Sequence, residues 1–198
     1  PNGCTAGGPR CAKAIGEVLG VTVEAQAKVS ILACHGTKEC AKDRGTYNGL
    51  KSCAAAKISI NGTKMCSFGC IGFGDCVKSC TFDAIKMGDN GLPVIDYKKC
   101  TGCSKCVSVC PNKLLNLIPA ESKGAFALCS NRSTDKPSII KKCKSGCIKC
   151  GKCERSCTFD ALKLVNGVPV IDYTKCTSCG ECVTGCPTKV LVLLENVK

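Results

Sequence analysis

Apolar residues along this chain come in short groups, and few stretches keep a regular period. Residues 8–20 predict a short helix that Gly20 ends, with an apolar face made of Ala12, Ile15, Val18 and Leu19. Residues 28–34 and 124–129 each predict a strand that ends in a cysteine. No run of 18 apolar residues occurs, so the pattern predicts no membrane span.

Two segments of the chain repeat each other, residues 80–115 and residues 157–191. Each copy predicts a cysteine run, a short helix, a β-hairpin, a second cysteine run and another short helix. The predicted hairpins pair 84–87 with 93–97 around "GDNG", and 162–165 with 169–173 around "NG".

This order resembles two bacterial-type two-cluster ferredoxins in tandem. We therefore predict an α+β fold of two ferredoxin-like modules, built from short helices and hairpins, after a small α/β front segment. The predicted domains are residues 1–27, a first module with an inserted front segment over 28–118, and a second module over 119–198.

Cysteine dominates the composition. The 198 residues include 23 cysteines but no tryptophan, and aromatics are only 4%, which predicts a thin apolar core. The C-x2-C-x2-C runs are too tight for three thiols to pair with one another, whereas three thiolates can wrap one inorganic cluster. Structural zinc is the alternative, but it leaves the third cysteine and the distant Cys-Pro of each run unexplained.

The formal net charge of +13 would by itself indicate nucleic acid or an anionic membrane surface as a partner. Four oxidised clusters, each −2 with its thiolates, would remove about 8 charges and leave roughly +5. With few aromatics and no long basic block, the sequence does not favour nucleic-acid binding. Its lysines form a solvated face or a docking surface for an acidic redox partner.

The ligand sets follow from the crossed connectivity of two-cluster ferredoxins, in which the fourth cysteine of each run ligates the other cluster. The second copy gives two complete sets: Cys147, Cys150, Cys153 and Cys186 (cluster 3), and Cys157, Cys176, Cys179 and Cys182 (cluster 4). The first copy gives one complete set: Cys80, Cys100, Cys103 and Cys106 (cluster 2). With the remaining site of the first copy, described next, the sequence predicts four [4Fe–4S] clusters.

The remaining site of the first copy has Phe73 where a ligand is expected. Cys66 lies four residues before Cys70, as Cys143 lies four before Cys147, so we assign Cys66 as the replacement. The predicted set for cluster 1 is Cys66, Cys70, Cys76 and Cys110. The alternative is a three-cysteine [3Fe–4S] site.

Six cysteines then remain besides Cys4. Cys34 and Cys129 each end a predicted strand before a module. The sequence suggests a fifth cluster near the module junction, held by Cys34, Cys53, Cys129 and Cys143. Cys40 is the substitute ligand if one of these four does not bind. The alternative is that these thiols are small buried apolar residues.

A resemblance to a known family rests on the segments "NGCTAGGPRCAKAIGEVLG", "VSILACHGT", "YNGLKSC" and "CSFGCIGFGDCVKSCTFDAI". They are similar to the B subunit of the Rnf complex, a membrane-bound, ion-pumping ferredoxin–NAD oxidoreductase. The resemblance implies an electron-transfer subunit at the cytoplasmic face of the membrane that accepts electrons from reduced ferredoxin and passes them to other subunits. It also implies that 1–27 is the remnant of an N-terminal cluster domain whose fourth ligand is Cys4, with a membrane anchor before Pro1.

The chain shows no nucleophile–base pair, phosphate loop or nucleotide fingerprint. We therefore expect an electron carrier without catalytic residues of its own. The alternative function is a ferredoxin-like component of another soluble oxidoreductase.

Overall fold

The computed structural model describes residues 7–22 and 26–194. Its helices are α1 (Gly8–Leu19), α2 (Cys53–Ile60), α3 (Asp75–Lys78), α4 (Lys105–Val109), α5 (Lys136–Lys142), α6 (Lys152–Arg155) and α7 (Glu181–Thr184). Its strands are β1 (Lys28–Leu32), β2 (Ile85–Met87), β3 (Pro93–Ile95), β4 (Leu115–Pro119), β5 (Gly124–Ala127), β6 (Leu162–Val165), β7 (Val168–Ile171) and β8 (Leu191–Leu194).

In the described residues, the strands pair into two-stranded antiparallel sheets, and both modules follow the same plan. In the first module β1 pairs with β4 and β2 with β3. In the second module β5 pairs with β8 and β6 with β7. The predicted α+β fold of two tandem ferredoxin-like modules is confirmed.

The second hairpin has the turn chemistry that its sequence predicts. Asn166 and Gly167 both adopt positive φ, 51° and 72°, as a two-residue type I′ turn requires. The first hairpin has a longer turn, with Gly91 at φ 78°. Because both turns fix the register, Ile85 lies opposite Ile95 and Leu162 opposite Ile171.

Four very short helices carry the third cysteine of each run, and each follows a residue in the left-handed conformation. These N-cap residues are Gly74, Ser104, Gly151 and Gly180, with φ between 65° and 81°. The left-handed residue turns the chain sharply, so the run curls back instead of continuing as a strand. This local backbone conformation brings the cysteines of one run around a common centre.

The apolar core is divided into small groups. The largest buries Val29, Ile31, Ile118 and Phe126 between the two modules' longer sheets. A second group centres on Leu162, Val190 and Leu191. Cysteines pack at the edge of every group, so the core and the cysteine sites are continuous.

The first helix forms as predicted and ends at Gly20 in the left-handed conformation. Of its predicted apolar face, however, only Ala12 is buried. Val18 and Leu19 are 86% and 67% exposed, and the buried positions are Ala12 and Gly16. The two buried residues are small and four positions apart, so they lie on one face of the helix. No helix in the described ranges is long and apolar enough to cross a bilayer.

The contribution of the core to stability can be tested within β6. Leu162 is 1% exposed, and replacing it with Ala should lower the free energy of unfolding by about 2–5 kcal/mol because a cavity forms. Val165 on the same strand is 51% exposed, so Val165→Ala should change the free energy of unfolding by less than about 0.5 kcal/mol. Anaerobic denaturant unfolding of both variants checks this; equal losses would show that β6 does not anchor the core.

Candidate iron–sulfur sites

Every cysteine in the described residues is a free thiol, and all of them except Cys11 and Cys40 fall into five groups of four. Within these residues no three Cys, His, Asp or Glu side chains are placed to hold a single metal ion. The thiols instead surround small cavities or cluster around shared apolar groups. We name the groups by their position relative to the module junction.

Outer site 1 comprises Cys80, Cys100, Cys103 and Cys106. Burial raises the pKa of the Cys106 thiol, and the nearby Cys100 and Cys103 raise it further. Cys80 packs against the same apolar groups as Cys100 and Cys106. Ser30 of β1, 1% exposed, adds polar contacts: its N–H donates to Cys100 Sγ at 3.4 Å, and the Cys106 thiol donates to its Oγ at 3.4 Å.

Inner site 1 comprises Cys53, Cys70, Cys76 and Cys110, which line one cavity. Burial raises the pKa of Cys70 to about 12 and that of Cys76 to about 12. The proximity of Cys53 is a further cause of both shifts. This group therefore contains four thiols, not the three of the alternative prediction.

Asp75 positions Cys53 in inner site 1. Its carboxylate accepts hydrogen bonds from Ser52 Oγ at 2.9 Å and from the backbone N–H of Ala54 at 3.1 Å. Burial raises the pKa of Asp75, but the N–H groups of Cys53 and Ala54 and the Ser52 hydroxyl outweigh it and hold the pKa below its ordinary value. The start of α2 is thus attached to α3, the short helix that carries Cys76.

Phe73 does not line the cavity of inner site 1. Its ring packs against Tyr47 with ring centroids 5.7 Å apart, and Lys51 Nζ lies 5.4 Å from its centroid. The same apolar group includes Cys53, Ala56 and Ile71. Phe73 therefore anchors α2 beside the site, and α2 supplies the thiol that Phe73 lacks.

The junction site comprises Cys34, Cys66, Cys129 and Cys143, which line another cavity. Cys34 and Cys129 face each other in an antiparallel bridge between the modules, and Cys143 forms a second bridge with Ala41. Burial raises the pKa of Cys143 to about 11, and Cys34, Cys66 and Cys129 add to the shift. The four thiols come from both modules and from the front segment.

A glycine, Gly36, packs closely beside the junction cysteines. A Cβ at Gly36 would lie 3.2 Å from Ala41 Cβ and 3.6 Å and 3.8 Å from the sulfurs of Cys34 and Cys143. The contact with Ala41 is tighter than usual, so Ala41 would have to move slightly to admit a side chain, whereas both sulfurs lie at ordinary contact distance. The N–H of Gly36 also donates to Cys34 Sγ at 3.4 Å, and Asn131 Nδ2 lies 3.6 Å from Cys66 Sγ as a donor.

The second module holds two further groups. Inner site 2 comprises Cys147, Cys150, Cys153 and Cys186, and outer site 2 comprises Cys157, Cys176, Cys179 and Cys182. Burial raises the pKa of Cys147 to about 11, with nearby Cys129, Cys153 and Cys186 as further causes of the increase. Burial also raises the pKa of Cys182, beside the other three thiols of outer site 2.

One loop geometry recurs at the last cysteine of each run. The sulfurs of Cys80, Cys110 and Cys157 accept the N–H of the residue four positions later, at 3.3–3.4 Å. In all four runs the residue three positions later has φ near 50°: Asp83, Lys113, Asp160 and Lys189. Pro follows Cys110 and Cys186, whereas Thr follows Cys80 and Cys157, and the loop conformation is the same in both cases.

Two predicted positions differ in the structure. The sequence predicts Cys66 in cluster 1 and Cys53 in cluster 5, but the structure places Cys53 in inner site 1 and Cys66 in the junction site. The physical reason is the pseudo-twofold repeat, in which Cys66 and Cys143 are equivalent and lie on the same cavity. Their shared register already contained this signal. Cys40 does not line the junction cavity, and Cys4 lies outside the described residues.

The donor sets fit [4Fe–4S] clusters. Each group offers four thiols, and backbone N–H groups point at the sulfurs of several, as they do around protein-bound clusters. The raised thiol pKa values mean that iron must displace protons to bind, because the ligands of a cluster are thiolates.

Comparison with known proteins agrees with this chemistry. Residues 64–117 and residues 146–191 each match the family model described as a 4Fe-4S dicluster domain. The chain thus carries two 4Fe-4S dicluster domains and binds [4Fe–4S] clusters.

Longer relatives define the family more narrowly. The B subunit of the ion-translocating oxidoreductase complex of Methanosarcina acetivorans is 38% identical over 194 residues, which is 97% of this chain and 72% of that protein. This chain belongs to the family of B subunits of ion-translocating oxidoreductase complexes.

Two other B subunits are similar to this chain. The one from the Na(+)-translocating ferredoxin:NAD(+) oxidoreductase complex of Acetobacterium woodii is 42% identical over 87% of this chain. The one from the proton-translocating ferredoxin:NAD(+) oxidoreductase complex of Clostridium ljungdahlii is 39% identical over 89% of it. The chain spans about half (52%) of the first relative's length and 62% of the second's.

Double substitutions test which thiols share a group. Cys76→Ala should remove one cluster, about four iron atoms per chain. Adding Cys53→Ala should remove no more, because both thiols line inner site 1. Adding Cys66→Ala instead should double the loss, because Cys66 lines the junction cavity. Anaerobic iron and sulfide analysis measures both.

Cys40→Ala is the matched control and should leave iron content unchanged, since this thiol lies outside the cavity. The opposite result would restore the assignment of Cys66 to cluster 1. In that case adding Cys53→Ala would remove about four further iron atoms, and adding Cys66→Ala would remove none.

Proposed function

We propose that this chain is an electron-transfer subunit that holds five [4Fe–4S] clusters and relays electrons from reduced ferredoxin toward an NAD-reducing, ion-translocating complex. When bound, the clusters supply one-electron oxidation and reduction. The polypeptide supplies the ligand thiols, excludes water from them and sets their relative positions. The proposal includes the other subunits of the complex as partners and the cytoplasmic face of the membrane as the location.

Hydrogen bonds that link neighbouring sites are the observation that carries this proposal. The N–H of Cys70, in inner site 1, donates to Cys34 Sγ of the junction site at 3.4 Å. The N–H of Cys147, in inner site 2, donates to Cys129 Sγ of the same site at 3.4 Å. The junction site is thus attached on both sides to a ligand of the next group.

Contacts within each module extend this series. The thiols Cys76 and Cys110 of inner site 1 and Cys80 and Cys106 of outer site 1 pack in one apolar group. In the second module Cys153 and Cys186 pack in one group with Cys157 and Cys182. The five sites therefore follow one another in a continuous order, from outer site 1 through the junction to outer site 2.

The two modules differ in how far their cysteines reach the surface. Cys179 of outer site 2 is exposed, whereas Cys103, its equivalent in outer site 1, is only partly exposed; Cys150 of inner site 2 is also exposed. Electron exchange with a separate protein is therefore favoured at the second module. Basic residues surround Cys150: Lys149 and Lys152 flank it in sequence, and Arg155 donates to its carbonyl at 3.1 Å.

The number of clusters is tested by total iron. Five occupied sites predict about 20 iron atoms and 20 sulfides per chain, at four per cluster. EPR of the reduced protein should show several interacting centres, because neighbouring groups share contacts. About 16 iron atoms would leave the junction site empty and break the proposed relay.

Docking of an acidic ferredoxin at the second module should depend on salt. The rate of reduction by ferredoxin should fall about tenfold between low and physiological ionic strength, because screening weakens steering. Lys152→Gln should reduce the low-salt rate, whereas Lys98→Gln in the first module should not; both lysines are exposed. Stopped-flow absorbance measures these rates, and a salt-independent rate would contradict electrostatic docking.

A further inference from the structure

Lys64 is a buried cation in the wall of the junction site. Only 6% of its surface is exposed, and its Nζ donates a hydrogen bond to the carbonyl of Gly36. It lines the same cavity as the four junction thiols. Among residues 7–22 and 26–194 the ion pairs are Lys99–Asp83 and Lys163–Asp160, so Lys64 has no carboxylate partner there.

A buried ammonium group without a counter-charge is costly, and proteins rarely retain one. The Gly36 carbonyl satisfies one of its three donors but neutralises none of its charge. The negative groups that this cavity can offer are its four thiolates and an anionic cluster bound to them.

The repeat makes this charge an asymmetric feature. Lys141 occupies the position 77 residues after Lys64, just as Cys143 follows Cys66 and Cys147 follows Cys70. Lys141 is exposed, whereas Lys64 is buried. The junction site thus receives equivalent thiols from both modules but a buried positive charge from the first module alone.

We propose that Lys64 is the counter-ion of the junction site and raises the reduction potential of the cluster held there. This rests on the proposed function, which places a [4Fe–4S] cluster on these four thiols. Reduction adds one electron and no proton, and takes the formal charge of the cluster with its thiolates from −2 to −3. A fixed positive charge in a desolvated cavity stabilises the more negative state. Lys64 is therefore a tuning residue and not a ligand.

The test compares three variants of the complete iron-loaded chain. Lys64→Met removes the charge and keeps a long apolar stem, Lys64→Arg keeps the charge, and Lys141→Met removes the equivalent exposed charge. Potentiometric titration with dithionite, followed by EPR, gives the midpoint potential of each cluster, and iron analysis is run on the same samples.

In Lys64→Met we expect the equilibrium constant for reduction of one cluster to fall about tenfold. The midpoint potential of that cluster then falls by ~59 mV, because the couple transfers one electron. Lys64→Arg should largely restore the potential, and Lys141→Met should leave every potential unchanged. If Lys64→Met also loses about four iron atoms while Lys64→Arg retains them, the counter-ion role is supported, since charge is then needed to hold the cluster.

Three results would overturn the inference. In the first, Lys64→Met keeps its iron and leaves every midpoint potential unchanged. In the second, Lys64→Arg loses as much iron as Lys64→Met, which would show that the side chain acts through its shape. In the third, Lys141→Met shifts the same potential equally, which would show a general surface-charge effect. A wild-type chain with only about 16 iron atoms would instead contradict the proposed function, so the two failures are distinguishable.

Discussion

The burial of thiols around shared centres is the constraint on which the rest of the structure depends. Desolvation raises the pKa of these thiols, so the ionised ligands that a cluster requires are stable only with a positive core to bind. The apolar residues form several small groups whose edges are cysteines. We therefore expect metal binding and folding to be coupled in this chain, because the ligands close loops that its short strands and four-residue helices would not hold alone.

The two modules share a plan and differ where each site has its own task. The fourth-cysteine loops have the same φ values and the same N–H···S contact in both copies. The departures cluster in the first module, where α2 supplies Cys53, Phe73 becomes a packing residue, and Lys64 is buried. The repeated loops therefore fix the spacing of the cysteine groups. Features found in the first module alone determine which thiols line inner site 1 and which charge lies beside the junction site.

The sequence predicted much of this structure because its signals are local. Hairpin turns, glycine helix ends and cysteine runs depend on neighbouring residues, and they defined the modules. The exchange of Cys53 and Cys66 depended instead on where α2 packs, through the contact of Asp75 with Ser52 and the Phe73–Tyr47 pair. The register of Cys66 with Cys143 carried part of that signal, but the burial of Lys64 had none in the sequence. Exposure is a property of the folded surroundings, and the identical residue at the equivalent position, Lys141, lies at the surface.

The bridge between Cys34 and Cys129 also has a consequence for how the molecule is made. The ligands of each outer site lie within one module, but the junction cavity needs residues from position 34 to position 143. During synthesis the first module emerges and can fold before Cys143 exists, because domains fold as units from the N-terminal side. The junction is a long-range contact with a high closure cost, so it forms late. The junction site, which connects the two modules, therefore forms only after each module has folded.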